Sequence, residues 1–362
     1  MRLLLVICFV CFLVSQSAFS QGGGIRKPVD TVGFATRGWQ MDSVVTRISR
    51  EFGPQIDIAF ARNKVKKYLP WKLVICPHDD YAYAGWMYPL ALENIEARVV
   101  ILIGVAHKAR QFGIEDRLVF DSYTYWSAPY GAVKVSPIRE KILGLLPEDE
   151  YLVHDSLHAV EHSVEALIPF LQYYHRGVEI IPILVPYMSF DRMEGLAGSL
   201  ALSISKVMAD SALGWSKDLA IVISSDAVHY GCEGWGGADY ALYGCDSVGY
   251  MKTVGHEYEV IDSCLTGRIT PEKLRRFTGY TVQDTNHRIY RWTWCGRYSV
   301  PFGLLTAYHL QQSIRSAQLS GTILNYCTSI DHTVLPVSDL DMGVTAPANI
   351  RHWVGYAVLG YK

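Results

Sequence analysis

The sequence predicts a single α/β domain with a central, mainly parallel or mixed sheet flanked by helices. Apolar, β-branched runs typical of buried strands occur at 73–76, 99–103, 179–185 and 219–224. Helix-like stretches occur at 42–52, 163–174, 191–209, 246–265 and 301–316. Strand-like and helix-like segments therefore alternate along the chain, which favours a parallel sheet covered by helices.

The first residues are predicted to be a targeting signal rather than part of the fold. Arg2 supplies a positive charge, and the apolar run 3–14 is too short to span a bilayer. Ala18 and Ser20 are small residues spaced for cleavage, so we expect a signal peptide at 1–20. An uncleaved amino-terminal anchor is the alternative. A flexible Gly-rich linker is expected at 21–28, followed by the α/β domain over 29–362.

Composition narrows the class of protein. Half of the 362 residues are hydrophobic and 19% are charged, as in a well-buried globular chain. The 33 basic and 35 acidic residues nearly balance, and no basic stripe marks a nucleic-acid surface. No later run is apolar for long enough to span a membrane, so we expect an exported protein, periplasmic or extracellular. Cys232 and Cys245 are the nearest candidates for a disulfide, although the pairing is open.

Two further details of the elements follow from the pattern. Val164, Leu167, Ile168 and Leu171 form the apolar stripe of a helix packed on the sheet. Pro169 lies inside that stripe, so the helix either kinks or begins late. The runs 118–121 and 353–359 are expected to add edge strands.

Three of the strand-like runs end close to a histidine, and a fourth apolar segment ends in a cysteine. His78 follows the first run, His107 follows the second, and Cys295 follows Trp294. The carboxyl ends of strands in an open α/β sheet are where ligands collect, so these side chains could meet in a metal site. Taken singly, each residue has a simpler explanation: a loop histidine bonded to the backbone, or a buried structural cysteine.

Asp226 and His229 follow the strand-like run 219–224. Their spacing would place them on one face of a helical turn, where a carboxylate could orient the imidazole and raise its basicity. An Asp helix cap beside a surface histidine is the alternative. The segment 161–165 is read as a helix cap that leaves His162 free to point inward. His154 and His158, with no motif around them, are expected to be exposed.

Together these segments resemble the Memo family, which includes the bacterial AmmeMemoRadiSam system protein B group. The resemblance runs from about residue 30 to the carboxyl terminus. The matching segments, in chain order, are Pro77-His78 with 81–85, Gly104 with His107, 161–165 with 169–171, 224–226 with 229–231, and 295–297.

The resemblance implies a fold like that of class III extradiol ring-cleaving dioxygenases. It implies that His78 and His107 are metal ligands and that Cys295 replaces the carboxylate ligand of those enzymes. His229 matches their acid–base histidine, and Asp226 matches the aspartate of the same motif. Memo proteins have been associated with iron and copper binding and with redox chemistry.

This sequence departs from the family pattern around the expected pocket. Asp79 and Asp80 stand where the family usually has Ala-Gly, and they could add an oxygen ligand or simply solvate the loop. Val105 and Ala106 replace part of a Gly-Pro-x-His motif, Ala227 replaces a bulkier residue, and 298–299 replaces a His-Pro pair. The ligand set is intact, whereas the substrate pocket differs from the family pattern.

Two functions fit these residues. The first is a metalloenzyme with Fe(II) at His78, His107 and Cys295, and a general base, His229, oriented by Asp226; copper or zinc are alternative metals. Its pocket would be lined by Tyr81, Tyr83 and Trp126. The second is a non-catalytic module that binds a metal, a small molecule or a peptide in the same cleft. A hydrolase that uses Cys295 with His229 has less support, because no GxSxG-like elbow accompanies it.

Overall fold

The computed structural model describes residues 23–66, 69–236 and 238–362. The predicted signal peptide at 1–20 lies outside these residues. The described strands are β1 (Ile25–Arg26), β2 (Leu73–Cys76), β3 (Val99–Val105), β4 (Leu118–Phe120), β5 (Tyr125–Trp126), β6 (Val133–Val135), β7 (Tyr151–Val153), β8 (Glu179–Val185), β9 (Leu219–Ser224), β10 (His229–Gly231), β11 (Gly267–Arg268), β12 (Val282–Gln283), β13 (Asn286–Tyr290), β14 (Ser320–Thr328) and β15 (His352–Tyr361).

Helices separate most of these strands along the chain. The described α-helices are α1 (Gly38–Arg62), α2 (Tyr81–Ala84), α3 (Met87–Leu92), α4 (Ile138–Leu143), α5 (Asp155–Val160), α6 (Ile168–Tyr174), α7 (Phe190–Asp210), α8 (Ser247–Cys264), α9 (Pro271–Thr281) and α10 (Ser299–Ser313). The structure confirms the predicted single α/β fold with a large, mixed but mostly parallel sheet.

The main sheet has the strand order β1-β5-β6-β8-β3-β9-β2-β15-β14-β11. Its centre, β8-β3-β9-β2, is parallel. β15 is antiparallel to both β2 and β14, so it lies inside the sheet rather than at the predicted edge. β4 likewise lies between β7 and β8. Both predictions of edge strands were wrong, because position in a sheet depends on long-range pairing that a local pattern does not encode.

The central strands are buried on both faces, which is why they are continuous apolar runs without polar alternation. Successive side chains point to opposite faces, so Val74 belongs to the buried cluster that includes residues of α1, α3 and α6, whereas Leu73 belongs to the cluster that includes residues of α7 and α10. The helix predicted at 163–174 begins late: a 3-10 turn at Glu165–Leu167 precedes α6, and Pro169 occupies its first turn.

The amino-terminal segment departs from the predicted linker. Ile25 and Arg26 form β1, which pairs in parallel with β5, and Arg26 is 2% exposed. The Arg26 guanidinium contacts the Glu165 carboxylate and donates to the backbone oxygens of His158 and Glu161. The prediction of a flexible linker over 21–28 is therefore wrong for these two residues, because the domain supplies partners for a buried arginine.

Three neighbouring parallel strands end at the same edge of the sheet. β2 leads to His78, β3 leads to His107, and β9 leads to Asp226. α10 begins at this edge, where the Ser299 hydroxyl donates to the Ser224 carbonyl oxygen at 3.2 Å. The loop that precedes α10 carries Cys295 to the same place, so the topology assembles the predicted residues.

Candidate metal centre

The structure brings His78, His107 and Cys295 together. The Cys295 Sγ lies 3.0 Å from the His107 Nε2 and 3.4 Å from the His78 Nε2. The three donor atoms all lie within 4.8 Å of one another. The two imidazole rings meet edge to face, with centroids 5.2 Å apart and an interplanar angle of 79°. Two nitrogens and one sulfur therefore face a common point, as coordination of one metal ion requires.

Ser224 fixes the proton on the His78 ring. Its hydroxyl donates to the Ser163 carbonyl oxygen and lies 2.8 Å from the His78 Nδ1. A hydroxyl has one proton, so towards His78 it acts as the acceptor and Nδ1 carries the hydrogen. The neutral ring then has its lone pair on Nε2, the atom that faces Cys295. This tautomer is the one that a metal ligand needs.

Glu161 holds a proton on the Nδ1 of His107, as Ser224 does for His78. The Glu161 Oε1 lies 2.8 Å from the His107 Nδ1, and the carboxylate side chain is 1% exposed. The same oxygen accepts the backbone N–H groups of His162 and Ser163. Burial raises the pKa of Glu161, but His107, the His162 ring and the Ser163 N–H outweigh it and hold this pKa well below its usual range. An ionised carboxylate on Nδ1 directs the lone pair of Nε2 towards the sulfur.

The charges at the cluster favour the thiolate. Burial raises the pKa of Cys295, but the His107 and His78 imidazoles outweigh it and hold this pKa well below its ordinary value. Burial lowers the pKa of His107, whereas Cys295 and Glu161 together hold it well above the ordinary value. Without a metal, the pair is thus a thiolate beside an imidazolium, and a divalent cation would replace the shared proton.

Close approach of the backbone at two glycines makes this cluster possible. A Cβ on Gly104 would collide with Val164 and Ser163, and a Cβ on Gly296 would collide with Ser225. Gly104 lies within β3, so it serves side-chain packing rather than a turn at the strand exit. Gly296 lets the loop of Cys295 lie against the end of β9.

Asp226 and His229 lie beside the cluster, but not on a helical turn as predicted. The Asp226 Oδ1 accepts the His78 backbone N–H at 2.9 Å, and its Oδ2 lies 3.5 Å from the His78 Nε2. The His229 Nε2 lies 3.9 Å from the Asp226 Oδ2 and has no hydrogen-bond partner among the described residues. Asp226 therefore positions His78 through a backbone hydrogen bond, whereas no direct hydrogen bond joins Asp226 to His229.

His229 and Asp226 nevertheless influence each other's ionisation. Burial lowers the pKa of His229, but Asp226 and Cys295 outweigh it and raise this pKa to about 10. Burial raises the pKa of Asp226, but His78 and His229 outweigh it and lower this pKa to about 2. The pair is therefore a carboxylate near an imidazolium, which can donate a proton into the cleft.

His162 belongs to the site, and the cap reading of its segment was wrong. Its ring stacks on His107 with centroids 4.9 Å apart and an interplanar angle of 11°. Burial and the positive charge of His107 lower its pKa to about 4, so it is neutral. Ser163 donates to the Val105 carbonyl oxygen instead of capping a helix. His158 is fully buried, contrary to the expectation of exposure, and its Nε2 contacts the Val119 oxygen.

A cavity of about 530 Å³ opens above the cluster. Tyr83 lines it, as predicted, whereas Tyr81 and Trp126 do not. The Tyr81 hydroxyl donates to the Ala166 oxygen and the Trp126 Nε1 donates to Asp121, so both rings are core residues. Sequence reasoning missed Phe34, Trp235 and His352, which also line the cavity; the rings of Trp235 and His352 stack with centroids 4.0 Å apart.

The two carboxylates next to His78 also line this cavity. Asp79 accepts the Tyr356 hydroxyl at 2.5 Å, and Asp80 accepts the Thr345 N–H at 2.6 Å. Burial and the Asp226 charge raise the pKa of Asp79 to about 6, and burial and Asp79 raise that of Asp80 to about 7. These hydrogen bonds tie the loop that carries Asp79 and Asp80 to the rest of the domain, so the two carboxylates do more than keep the loop hydrated.

The donor set suits some metals better than others. One thiolate and two neutral imidazoles are soft to borderline ligands that fit iron, copper or zinc and do not suit magnesium or calcium. The fixed tautomers of His78 and His107 present both lone pairs without any rearrangement of the surrounding protein. The residues present therefore fit a bound transition metal.

Similarity to known proteins extends over most of the described chain. The family described as Memo-like protein matches residues 43–340. Similar proteins, each named MEMO1 family protein, include one from Aquifex aeolicus (strain VF5), 32% identical over 170 residues. Others come from Saccharolobus solfataricus, 31% identical over 163 residues, and Thermotoga maritima, 30% identical over 165 residues.

These pairwise matches are partial. They cover 46%, 43% and 43% of this chain, and 57%, 52% and 53% of the respective relatives. The chain thus spans a little over half the length of the curated relatives that it matches. Among the described residues, no helix combines the length and apolarity that a bilayer crossing requires.

Proposed function

Because the chain belongs to the Memo family, as the match over residues 43–340 establishes, we propose that it binds a transition metal through His78, His107 and Cys295. The observation that carries this proposal is the position of the Cys295 sulfur, 3.0 and 3.4 Å from the two imidazole Nε2 atoms. We assign Fe(II) first, with copper or zinc as alternatives, because the ligand set is soft to borderline.

We further propose that the centre supports redox or dioxygenase-type chemistry. A bound redox metal would supply electron transfer and Lewis acidity. His229, which carries a proton near the Asp226 carboxylate, would donate or accept it at the cleft. A small molecule or a short peptide would occupy the cavity of about 530 Å³, against Tyr83 and the Trp235 ring.

The second candidate function is a non-catalytic module in the same cleft. Two observations favour it. The His229 Nε2 lies 3.9 Å from the nearest Asp226 oxygen, which is too far for the hydrogen bond that orients a general base. A thiolate ligand is also itself oxidisable, unlike the carboxylate of the dioxygenases. This candidate predicts metal or ligand binding without turnover.

Export is part of the proposal. The positive residue and short apolar run at the amino terminus support a signal peptide. The disulfide between Cys232 and Cys245 supports an oxidising compartment, periplasmic or extracellular, because such bonds are rare in the cytosol. Fractionation of the native cells followed by mass measurement of the protein tests this point. A cytosolic chain that retains residues 1–20 would contradict it.

Metal analysis of protein purified without oxygen tests the metal proposal. We expect about one equivalent of metal in the wild type and loss of tight binding in His78→Ala and Cys295→Ser. Cys264→Ser is the matched control, since Cys264 is buried and lies on α8 outside the cluster. Full metal content in both ligand variants would overturn the ligand assignment.

Oxygen uptake separates the two functions. Iron-loaded protein is mixed with a panel of catechols, and oxygen consumption is followed in the wild type and in His229→Gln. The enzyme proposal predicts uptake by the wild type, and loss of that uptake in His229→Gln with metal content retained. Stoichiometric metal without uptake on any substrate would favour the binding module.

A further inference from the structure

A second cavity, of about 590 Å³, is lined by different residues from those of the metal-site cavity. Four arginines and a single carboxylate, that of Asp239, contribute to its walls, together with aromatic rings. We call it the arginine cavity. Its walls include Arg110, Asp239, Tyr290, Trp292 and Arg297.

Arg297 is the central feature of the arginine cavity. It is only 8% exposed, yet within the described chain it has no carboxylate partner. Its Nε is buried and unpartnered. Burying a cation without a counterion is costly, so such a group usually has a partner that binds it.

The stacking of Arg297 leaves its hydrogen-bonding edge available. The guanidinium carbon lies 3.3 Å from the centroid of the Tyr290 ring and 4.8 Å from that of Tyr298. Stacking uses the flat face of the guanidinium and fixes its plane. The N–H groups lie in that plane, and the unpartnered Nε–H is an in-plane donor that remains available to a carboxylate or phosphate.

Two of the four arginines that line the cavity are paired with carboxylates of their own. Arg288 pairs with Glu115, and Arg291 pairs with Asp284 at 2.8 Å, so these two charges are compensated. Arg110 donates to the Arg288 backbone oxygen at 2.5 Å and makes no ion pair among the described residues. Two positive charges, those of Arg110 and Arg297, therefore face the arginine cavity against one carboxylate, Asp239.

We propose that the arginine cavity binds a small organic anion that carries one phosphate or carboxylate group. The in-plane N–H groups of Arg297 hold the oxyanion, Arg110 adds charge at the rim, and Trp292 and Tyr290 pack against the organic part. The site is independent of the metal proposed above, because none of its lining residues is a proposed ligand.

Calorimetric titration of the folded chain tests the proposal with three probes: inorganic phosphate, phenyl phosphate and benzoate. Saturable binding with one site per chain is expected for at least one of them, and the preferred probe distinguishes phosphate from carboxylate ligands. Arg297→Gln should weaken this binding at least about tenfold. Arg297→Lys, which keeps the charge without the fork, should weaken it by less. Arg50→Gln, at an exposed ion pair on α1, is the control and should bind like the wild type.

Arg297 lies two residues from Cys295, so metal content is measured on the same samples. A residue that only shapes the Cys295 loop would change metal content and leave anion affinity unchanged, and this outcome would overturn the proposal. If Arg297→Gln does not fold, Asp239→Asn replaces it. Loss of the one lining carboxylate should then tighten anion binding about two- to fivefold. No saturable binding of any probe to the wild type, or unchanged affinity in Asp239→Asn, would also overturn it.

Discussion

The carboxylate of Glu161 lies 2.8 Å from the Nδ1 of His107, on the side of the ring opposite the Cys295 sulfur. This contact decides which nitrogen of His107 carries a proton and therefore which one can bind a metal. The Glu161 carboxylate also accepts three backbone N–H groups, those of Lys108, His162 and Ser163, which fix its position. Glu161, which is not one of the proposed ligands, would thus control the metal affinity of the site.

Replacement of Glu161 should therefore weaken metal binding. Glu161→Gln keeps the shape and the acceptor oxygen but removes the negative charge that polarises His107. We expect about a ten- to hundredfold loss of metal affinity, measured by competition with a chelator. Glu140→Gln, at an exposed position on α4, is the control. Equal affinities in the two variants would mean that Glu161 has only a structural role.

The thiolate state of Cys295 can be followed by pH titration of metal-free protein. Its folded pKa lies well below the ordinary 9.0, so thiolate absorbance in the ultraviolet should persist at neutral pH. The stability gained from this depressed pKa is full above pH 9.0 and is lost as pH falls through the folded pKa. Cys295→Ser should lack the absorbance at neutral pH, and Cys264→Ser should keep it. A signal that develops only near pH 9.0 would contradict the proposed charge state.

Glu257 on α8 is a buried carboxylate that organises the Cys295 loop. Its Oε1 accepts the Trp292 and Trp294 indole N–H groups at 2.6 and 2.7 Å, and its Oε2 accepts the Val228 N–H at 3.1 Å. In Glu257→Gln an amide N–H would oppose the Val228 N–H. We expect a loss of about 1–3 kcal/mol in the free energy of unfolding. Glu259→Gln, on the exposed face of the same helix, is the control.

The stability difference between the wild type and Glu257→Gln should also depend on pH. Burial raises the pKa of Glu257 from 4.5 to about 7, although the indole donors act against it. A raised folded pKa contributes stability that is full below pH 4.5 and is lost as pH rises through about 7. Urea unfolding should therefore find the largest gap between wild type and Glu257→Gln at the acid end. A difference in unfolding free energy between the two proteins that grows as pH rises would contradict this prediction.

The buried contact between Arg26 and Glu165 should be essential for folding stability. Arg26→Met leaves the Glu165 carboxylate buried with only the Val29 and Asp30 N–H groups as partners. We expect a loss of about 3–5 kcal/mol, because one charge of a buried pair remains uncompensated. Thermal and urea unfolding measure it, with Arg50→Met as the control. A change under about 1 kcal/mol would indicate that water reaches Glu165 in the variant.

The strands of the sheet were predictable from the sequence, since runs such as Leu73–Cys76 and Glu179–Val185 are apolar on both faces. The place of β15 between β2 and β14 was not, because a carboxyl-terminal strand can pair at either edge or be inserted. Pro169 predicted either a kink or a late start for α6, and the structure has the late start. Local chemistry thus predicted the elements, and tertiary pairing decided their order.

The site was predictable to a similar depth. The apolar runs pointed to His78, His107 and Cys295, the family resemblance singled them out as ligands, and the order of the parallel strands brings them together. Tyr81 was misplaced because the first turn of α2 directs its ring into the core, a direction that loop residues do not reveal. The partners of Glu161 and Ser224 depend on contacts across the fold, with separations of 54 and 146 residues.

The sulfur of the cluster is encoded 188 residues after one imidazole and 217 after the other. A ribosome releases both histidines long before the cysteine exists, so a nascent chain holds an incomplete set of donors for most of its synthesis. If this set of donors binds a metal ion as proposed, the complete site can form only after Cys295 has been synthesised and has reached the two imidazoles. A fragment that ends before Cys295 would contain both histidines but would lack the sulfur donor.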